Sequence, residues 1–245
     1  MIEFNGVSST AYTDIISVQR INRPLYPGAR ANIMTIPEYD GVYYFSKDKA
    51  QLDISFRLSL KSNSITERRA AVRQIAAWLY DDDPKPLSFT DESTLIYYAL
   101  LTEPVNIDEF ADLGFTDVRF MVPDGCAYST GAETISDNAT TAITSTNAGT
   151  LPCDTIITVE PTTDYTSLKL TLAETGEYLE LNSSGGSTSE IIFNTQTRTV
   201  TVDGVDASSD IDYDSTWFKL PVGSFTVDVE GAASDVEIVY RERWM

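Results

Sequence analysis

Carboxylates are the only abundant side chains here suited to acid–base or metal chemistry, because the 245-residue chain has 37 Asp and Glu, 17 Lys and Arg, and no histidine. Without an imidazole there is no Ser-His-Asp or Cys-His nucleophile, no histidine general base and no histidine metal ligand. A carboxylate pair flanking a glycosidic bond and lysine-based chemistry pass that filter. Asp210, Asp212 and Asp214 alternate like the start of a calcium loop, but Ser215 stands at the sixth place and Pro221 at the twelfth. An EF-hand needs Gly and Glu there. What remains is an irregular calcium site or an ordinary acidic surface loop. Cys126 and Cys153 lie 27 positions apart around a polar stretch, which is neither a disulfide framework nor metal-ligand spacing. Both read as reduced thiols. There is no phosphate loop and no dinucleotide fingerprint, so no cofactor is expected.

The charge is uneven. Residues 1–130 carry 12 basic and 18 acidic side chains, a balance of −6, and residues 131–245 carry 5 and 19, a balance of −14. Nucleic-acid binders concentrate Lys and Arg to release counterions, so this chain is expected to repel DNA. Such acidity also serves solubility alone. No run approaches the roughly 18 apolar residues of a membrane span. The first residues have neither a basic start nor an apolar core, so no secretory signal is expected.

Among the elements that must position these groups, one amphipathic helix stands amid strand patterns. Ile65, Val72, Ile75, Ala76 and Leu79 share a helical face, Ala71 and Trp78 widen it, and Ser64 with Glu67 forms a capping box. Arg68 falls on that face, where it either snorkels to water along its stem or meets a carboxylate across an interface. Leu52, Ile54, Phe56, Leu58 and Leu60 alternate with polar residues, as a strand buried on one face does. Two β-prone runs, 31–39 and 42–45, are joined by Asp40-Gly41, a pair suited to a type I′ turn, although Pro37 confines the first run to an edge. This hairpin, with Ile33, Ile36, Tyr39, Tyr43, Tyr44 and Phe45, either folds onto its own domain or reaches a neighbouring subunit.

Between positions 129 and 150 the composition shifts to Thr, Ser, Ala, Asn and Gly, which marks a boundary after residue 130. Eight short strand patterns follow from Thr155 onward, including one at 217–220, and read as a β-sandwich or jelly roll. The fold class is mainly β: an N-terminal β-sandwich with one helix and a projecting hairpin arm, residues 1–130, then a second sandwich, residues 131–245.

The order of short motifs is more specific than any one of them. Phe4-Asn5-Gly6-Val7, Arg23-Pro24, Ile36-Pro37, Asp40-Gly41, Ala77-Trp78-Leu79, Lys85-Pro86-Leu87-Ser88-Phe89-Thr90-Asp91-Glu92 and Tyr97-Tyr98 precede Arg198-Thr199-Val200-Thr201-Val202-Asp203-Gly204, Trp217-Phe218 and Tyr240-Arg241-Glu242-Arg243-Trp244. Taken together they resemble the distal tail proteins, or baseplate hubs, of siphophages and prophages of Gram-positive bacteria. The resemblance implies a non-enzymatic virion protein, assembled in the host cytoplasm as a hexameric ring that DNA passes through without being bound. It implies a galectin-like C-terminal sandwich. It also implies the tail tube protein, a tail-associated lysin or fibre, and receptor-binding proteins as partners, and no membrane. The expected intersubunit arm comprises Arg23, Pro24, Ile33, Ile36, Pro37, Tyr39, Asp40, Gly41, Tyr43, Tyr44 and Phe45, with Arg68 as a candidate interface charge. Two other classes stay open. One is a lectin-like adhesin stacking sugars on Tyr165, Tyr178 and Trp217, although Trp217 in an alternating strand is more often core. The other is a carboxylate-only cell-wall hydrolase.

Overall fold

A computed structural model describes residues 1–38, 40–60, 64–103, 107–110, 113–187 and 189–245. The chain divides into two compact units, residues 1–130 and 131–244, with Met245 counted in the first. Among the described residues the first unit contains β1 (Ile2–Phe4), β2 (Val7–Ser8), β3 (Ile16–Asn22), β4 (Ala29–Met34), β5 (Tyr43–Lys49), β6 (Leu52–Leu60), α1 (Ile65–Leu79), β7 (Lys85–Phe89), β8 (Leu95–Leu101), β9 (Ile107–Phe110), β10 (Leu113–Val122) and β11 (Ala127–Ser129). Its main sheet runs β2-β1-β7-β8-β10-β6-β3, with β9 on β10 and β11 on β8. Three strand spacings separate β1 from β10, about 14 Å in a flat sheet. Yet the rings of Phe4 on β1 and Phe120 on β10 have centroids 4.8 Å apart, and Phe56 lies 5.7 Å from Phe120. The sheet therefore rolls over, and its two halves face each other across these rings.

Helix α1 closes this roll. Its cap forms as the sequence predicts, the Ser64 hydroxyl accepting from the Glu67 N–H at 3.2 Å. The buried face is centred on Ala71, Ile75, Trp78 and Leu79, while Val72 is half-buried and Ala76 exposed, a rotation away from the stripe expected from sequence. Trp78 sets that rotation. Its indole N–H reaches the carbonyls of Phe4 and Val7 at 3.3 and 3.2 Å, and its ring stacks on Tyr12 at 4.9 Å. A buried indole needs an acceptor, so the helix turns until one is found.

The second unit contains β12 (Glu133–Thr140), β13 (Ala142–Asn147), β14 (Thr155–Pro161), β15 (Leu168–Leu172), β16 (Tyr178–Leu181), β17 (Ile191–Asn194), β18 (Thr199–Val202), β19 (Val205–Asp206), β20 (Gly223–Glu230) and β21 (Ser234–Tyr240). These make two sheets, β12-β21-β14-β17-β18-β19 and β13-β20-β15-β16. Phe225 on β20 and Tyr240 on β21 meet edge to face at 5.6 Å, so the sheets pack face to face as a sandwich. β14, β15 and β21 alternate strictly between core and surface. The expected strand at 217–220 is absent apart from an isolated bridge between Cys153 and Leu220. Phe218 and Leu220 alternate because they plug the core, not because they extend a ladder. The Thr- and Ser-rich stretch after 130 supplies β12 and β13 instead.

Cys126 and Cys153 are free and buried, and burial pushes the Cys153 thiol up to about 12. Neither cysteine should react with a thiol reagent near pH 8 in the native protein, and both should react in denaturant. Because the unfolded thiol ionises near its usual value and the folded one does not, this group favours folding below about pH 8–9 and loses that contribution as pH rises toward 12. Phe120→Ala should destabilise the first unit by about 3–5 kcal/mol, read as a lower urea midpoint.

Candidate assembly surface

Strands β4 and β5 form a two-stranded sheet of their own, and every residue of both is exposed. Ile33, Met34, Ile36, Val42 and Tyr43 each show about half their surface, and Tyr44 and Phe45 show 62% and 64%. An isolated hairpin is marginal in water, and a flat apolar one is an invitation to pair or aggregate. The turn differs from the expected two-residue form. The ladder ends at the Met34–Tyr43 pair, with a bulge at Asn32/Ile33, and residues 35–42 make the connection. Pro37 cannot donate to a ladder, and Glu38 and Gly41 take positive φ angles of 64° and 99°. Asp40 and Gly41 thus belong to a long loop; Tyr39 lies outside the described residues, as does the side chain of Arg68.

The root of the hairpin is held tightly. Arg23 donates to Glu92 at 2.6 Å and to Asp91, and its guanidinium lies 4.4 Å from the Phe89 ring centroid. Arg suits this site because it pairs with two carboxylates in its plane while its face stacks on the ring. By sequence Arg23 belongs with Pro24 to the arm; in the structure its guanidinium is held at the base of the hairpin by Asp91, Glu92 and Phe89. Burial, reinforced by Glu92, raises the Tyr97 hydroxyl above its ordinary range beside this cluster. Across the root, the Ala50 N–H donates to Gly28 O at 2.8 Å. Gly125 packs so closely, at φ +59°, that a Cβ there would come 2.7 Å from Ala50 O. Nothing in the motif pattern marks Asp91, Glu92 or Gly125 as arm supports, because their role depends on strands distant in sequence.

Elsewhere one carboxylate of each acidic cluster is held locally. Asp81 accepts from the Asp83 N–H at 3.2 Å, lies 3.4 Å from Lys85 Nζ, and is held below the usual carboxylate range chiefly by that backbone donor. Asp212 accepts from Asp214 N–H at 3.1 Å and Tyr178 Oη at 3.4 Å, a turn within the second unit. No group of three or more metal-type side chains converges among the described residues. The sugar-stacking trio is not a platform. Tyr165 is 4% exposed and sits in the core, Tyr178 carries Lys169 Nζ 4.5 Å above its ring, and Trp217 packs half-buried against the core. With its ring buried in the core, Tyr165 has no face to offer a sugar.

Two family models match the chain. Residues 10–122 match the phage tail protein RIFT-related domain, and residues 148–244 match the siphovirus-type tail component, C-terminal domain. The chain belongs to the siphophage distal tail protein family. Among solved structures, that of the SPP1 Dit (gp 19.1) protein, described as a paradigm of hub adsorption apparatus in Gram-positive infecting phages, matches at a TM-score of 0.84 and 16% identity. The match covers 100% of this chain and 98% of that one. Two structures of the phage P2 baseplate in its activated conformation, with Ca and with Sr, match at 0.47 and 10% identity over 94% of this chain and 91% of theirs. No curated protein matches. This distal tail protein has the family and fold of structural tail components, not of enzymes, and its place is in the virion tail. No helix among the described residues is long and apolar enough to cross a membrane.

Arg23→Ala should loosen the hairpin root, raising trypsin cleavage at Arg30, Lys47 and Lys49 several-fold. It should cost about 1 kcal/mol of stability, because the carboxylates are partly solvated. Arg23→Lys should recover only part of it.

Proposed function

We propose that copies of this distal tail protein close into a ring in which each hairpin lies on the next copy. The ring has six members by the family resemblance, and it surrounds the channel through which DNA leaves. Residues 1–130 form the ring, and the C-terminal unit is a galectin-like sandwich. The tail tube protein sits on one side, and the tail-associated lysin or fibre with receptor-binding proteins on the other. The observation that carries this reading is the hairpin: its aromatic face is exposed on its own subunit and its root is braced by Arg23 and Gly125. A braced arm and a separate receiving surface are what a head-to-tail ring requires. An acidic chain of net charge −20 suits a conduit that lets DNA slip past.

Each of Tyr44 and Phe45, if covered in the assembly, contributes about 1.5–3 kcal/mol. Replacing Ile33, Tyr44 and Phe45 together by Ser should therefore weaken self-association at least about a hundredfold while leaving the far-ultraviolet spectrum unchanged. Native mass measurements and particle images of parent and variant would show this. A parent protein that stays monomeric at high concentration, or a variant that assembles like the parent, would overturn the reading.

A further inference from the structure

We propose that the hairpin of one copy docks in the groove beside α1 of the next, its aromatic strand β5 lying along the helix with the hairpin root toward the helix C-terminus. This inference rests on the assembly reading above and names the receiving surface that reading leaves open. The groove has a volume of about 380 Å³ and is walled by Leu60 of β6, Leu101 of β8, and Val72, Ile75, Ala76 and Leu79 of α1. That is the size of a small-molecule pocket, with room for more than one ring. Its outer wall is the stripe that the Trp78-driven rotation of α1 leaves uncovered. Val72, Ala76 and Tyr80 follow at intervals of four, Ala76 is exposed and Tyr80 is 65% exposed. The small Ala76 side chain makes a notch between Val72 and Tyr80. Apolar surface of this kind on a tail component fits an apolar partner, and the chain carries one in Tyr43, Tyr44 and Phe45.

Charge selects the same occupant and its direction. The hairpin is cationic at its root, where Arg30, Lys47 and Lys49 outnumber Asp48, and anionic at its loop, with Glu38 and Asp40. The groove is the mirror of this. At its C-terminal end Glu103, Asp81, Asp82 and Asp83 outnumber the cations beside them, Arg119 at 2.9 Å from Glu103 and Lys85 at 3.4 Å from Asp81 and 4.0 Å from Asp83, whereas Arg69 and Arg73 stand exposed on the N-terminal half of α1 near Glu67. Ala76 lies three residues after Arg73 and seven after Arg69, so both cations flank the notch. From Arg69 to Leu79, where the helix ends, is 10 residues, about 15 Å at helical rise; from Tyr43 to Lys49, the span of β5, is 6 residues, about 20 Å when extended. Laid root toward Asp82 and loop toward Arg69, the hairpin meets opposite charge at both ends. The reverse placement sets like charge on like at both ends, which disfavours it.

The test uses three full-length proteins. Ala76→Glu fills the notch with a charge, Ala76→Lys does so with the opposite sign, and Tyr44→Glu with Phe45→Glu disables the hairpin; all these positions are exposed, so the fold is retained, as circular dichroism would verify. Each variant alone should sediment as a monomer. An equimolar mixture of a notch variant with the hairpin variant should give a one-to-one dimer and nothing larger, because one hairpin and one groove remain intact. If both Ala76 variants assemble like the parent while the hairpin variant does not, the hairpin docks elsewhere and this inference falls while the assembly reading stands. A mixture that stays monomeric also overturns it. If the hairpin variant assembles like the parent, the assembly reading itself falls.

Discussion

A two-stranded sheet cannot bury its own face, and that constraint governs the first unit of this protein. Strands β4 and β5 satisfy each other's backbone along one edge but leave Ile33, Met34, Tyr43, Tyr44 and Phe45 in water. In an isolated chain such a hairpin would be barely stable. Here its root carries contacts of its own: a guanidinium shared between two carboxylates and a ring face, and a glycine approached too closely for any side chain. The molecule thus fixes an apolar surface in position without covering it on its own subunit.

The rest of the first unit serves to make that root rigid. The rolled sheet brings Phe4, Phe56 and Phe120 together in a core with none of the three exposed, and β6, which follows the hairpin directly, sends alternate residues into it. Strand β3, which precedes the hairpin, pairs with β6 across a bulge. Both legs of the arm therefore leave from one pair of hydrogen-bonded strands. The second unit follows a simpler rule, two sheets with alternating inward residues, and its buried Asn147 is satisfied by Leu151 O, Pro221 O and Gly149 N–H.

Much of this was legible in the residues. The period-two pattern of 52–60, the Ser64 cap and the strand series from 155 onward are local signals, and local sterics and hydrogen bonding suffice to produce them. Local pattern misleads where a distant group decides. Phe218 and Leu220 alternate like a strand because the core receives both side chains, yet among the described residues the pairing there is one isolated bridge, Leu220 to Cys153, and not a ladder. The Asp40-Gly41 pair has the composition of a tight turn, but Pro37 ends the ladder earlier and lengthens the loop. Tyr165 has the chemistry of a sugar platform and the burial of a core residue.

By itself the sequence determined most of the elements, the absence of histidine chemistry, the acidic charge and, through the order of its motifs, the family. Tertiary structure alone decided which apolar residues are covered: Trp78 turns the helix to reach the carbonyls of Phe4 and Val7, and so leaves Ala76 and Tyr80 exposed and Val72 half-buried. It also decided what Arg23 meets, the carboxylates of Asp91 and Glu92 and the ring of Phe89. The reason is physical: periodicity records that a side chain prefers burial, whereas the partner that buries it is chosen by strands and helices brought together across the chain.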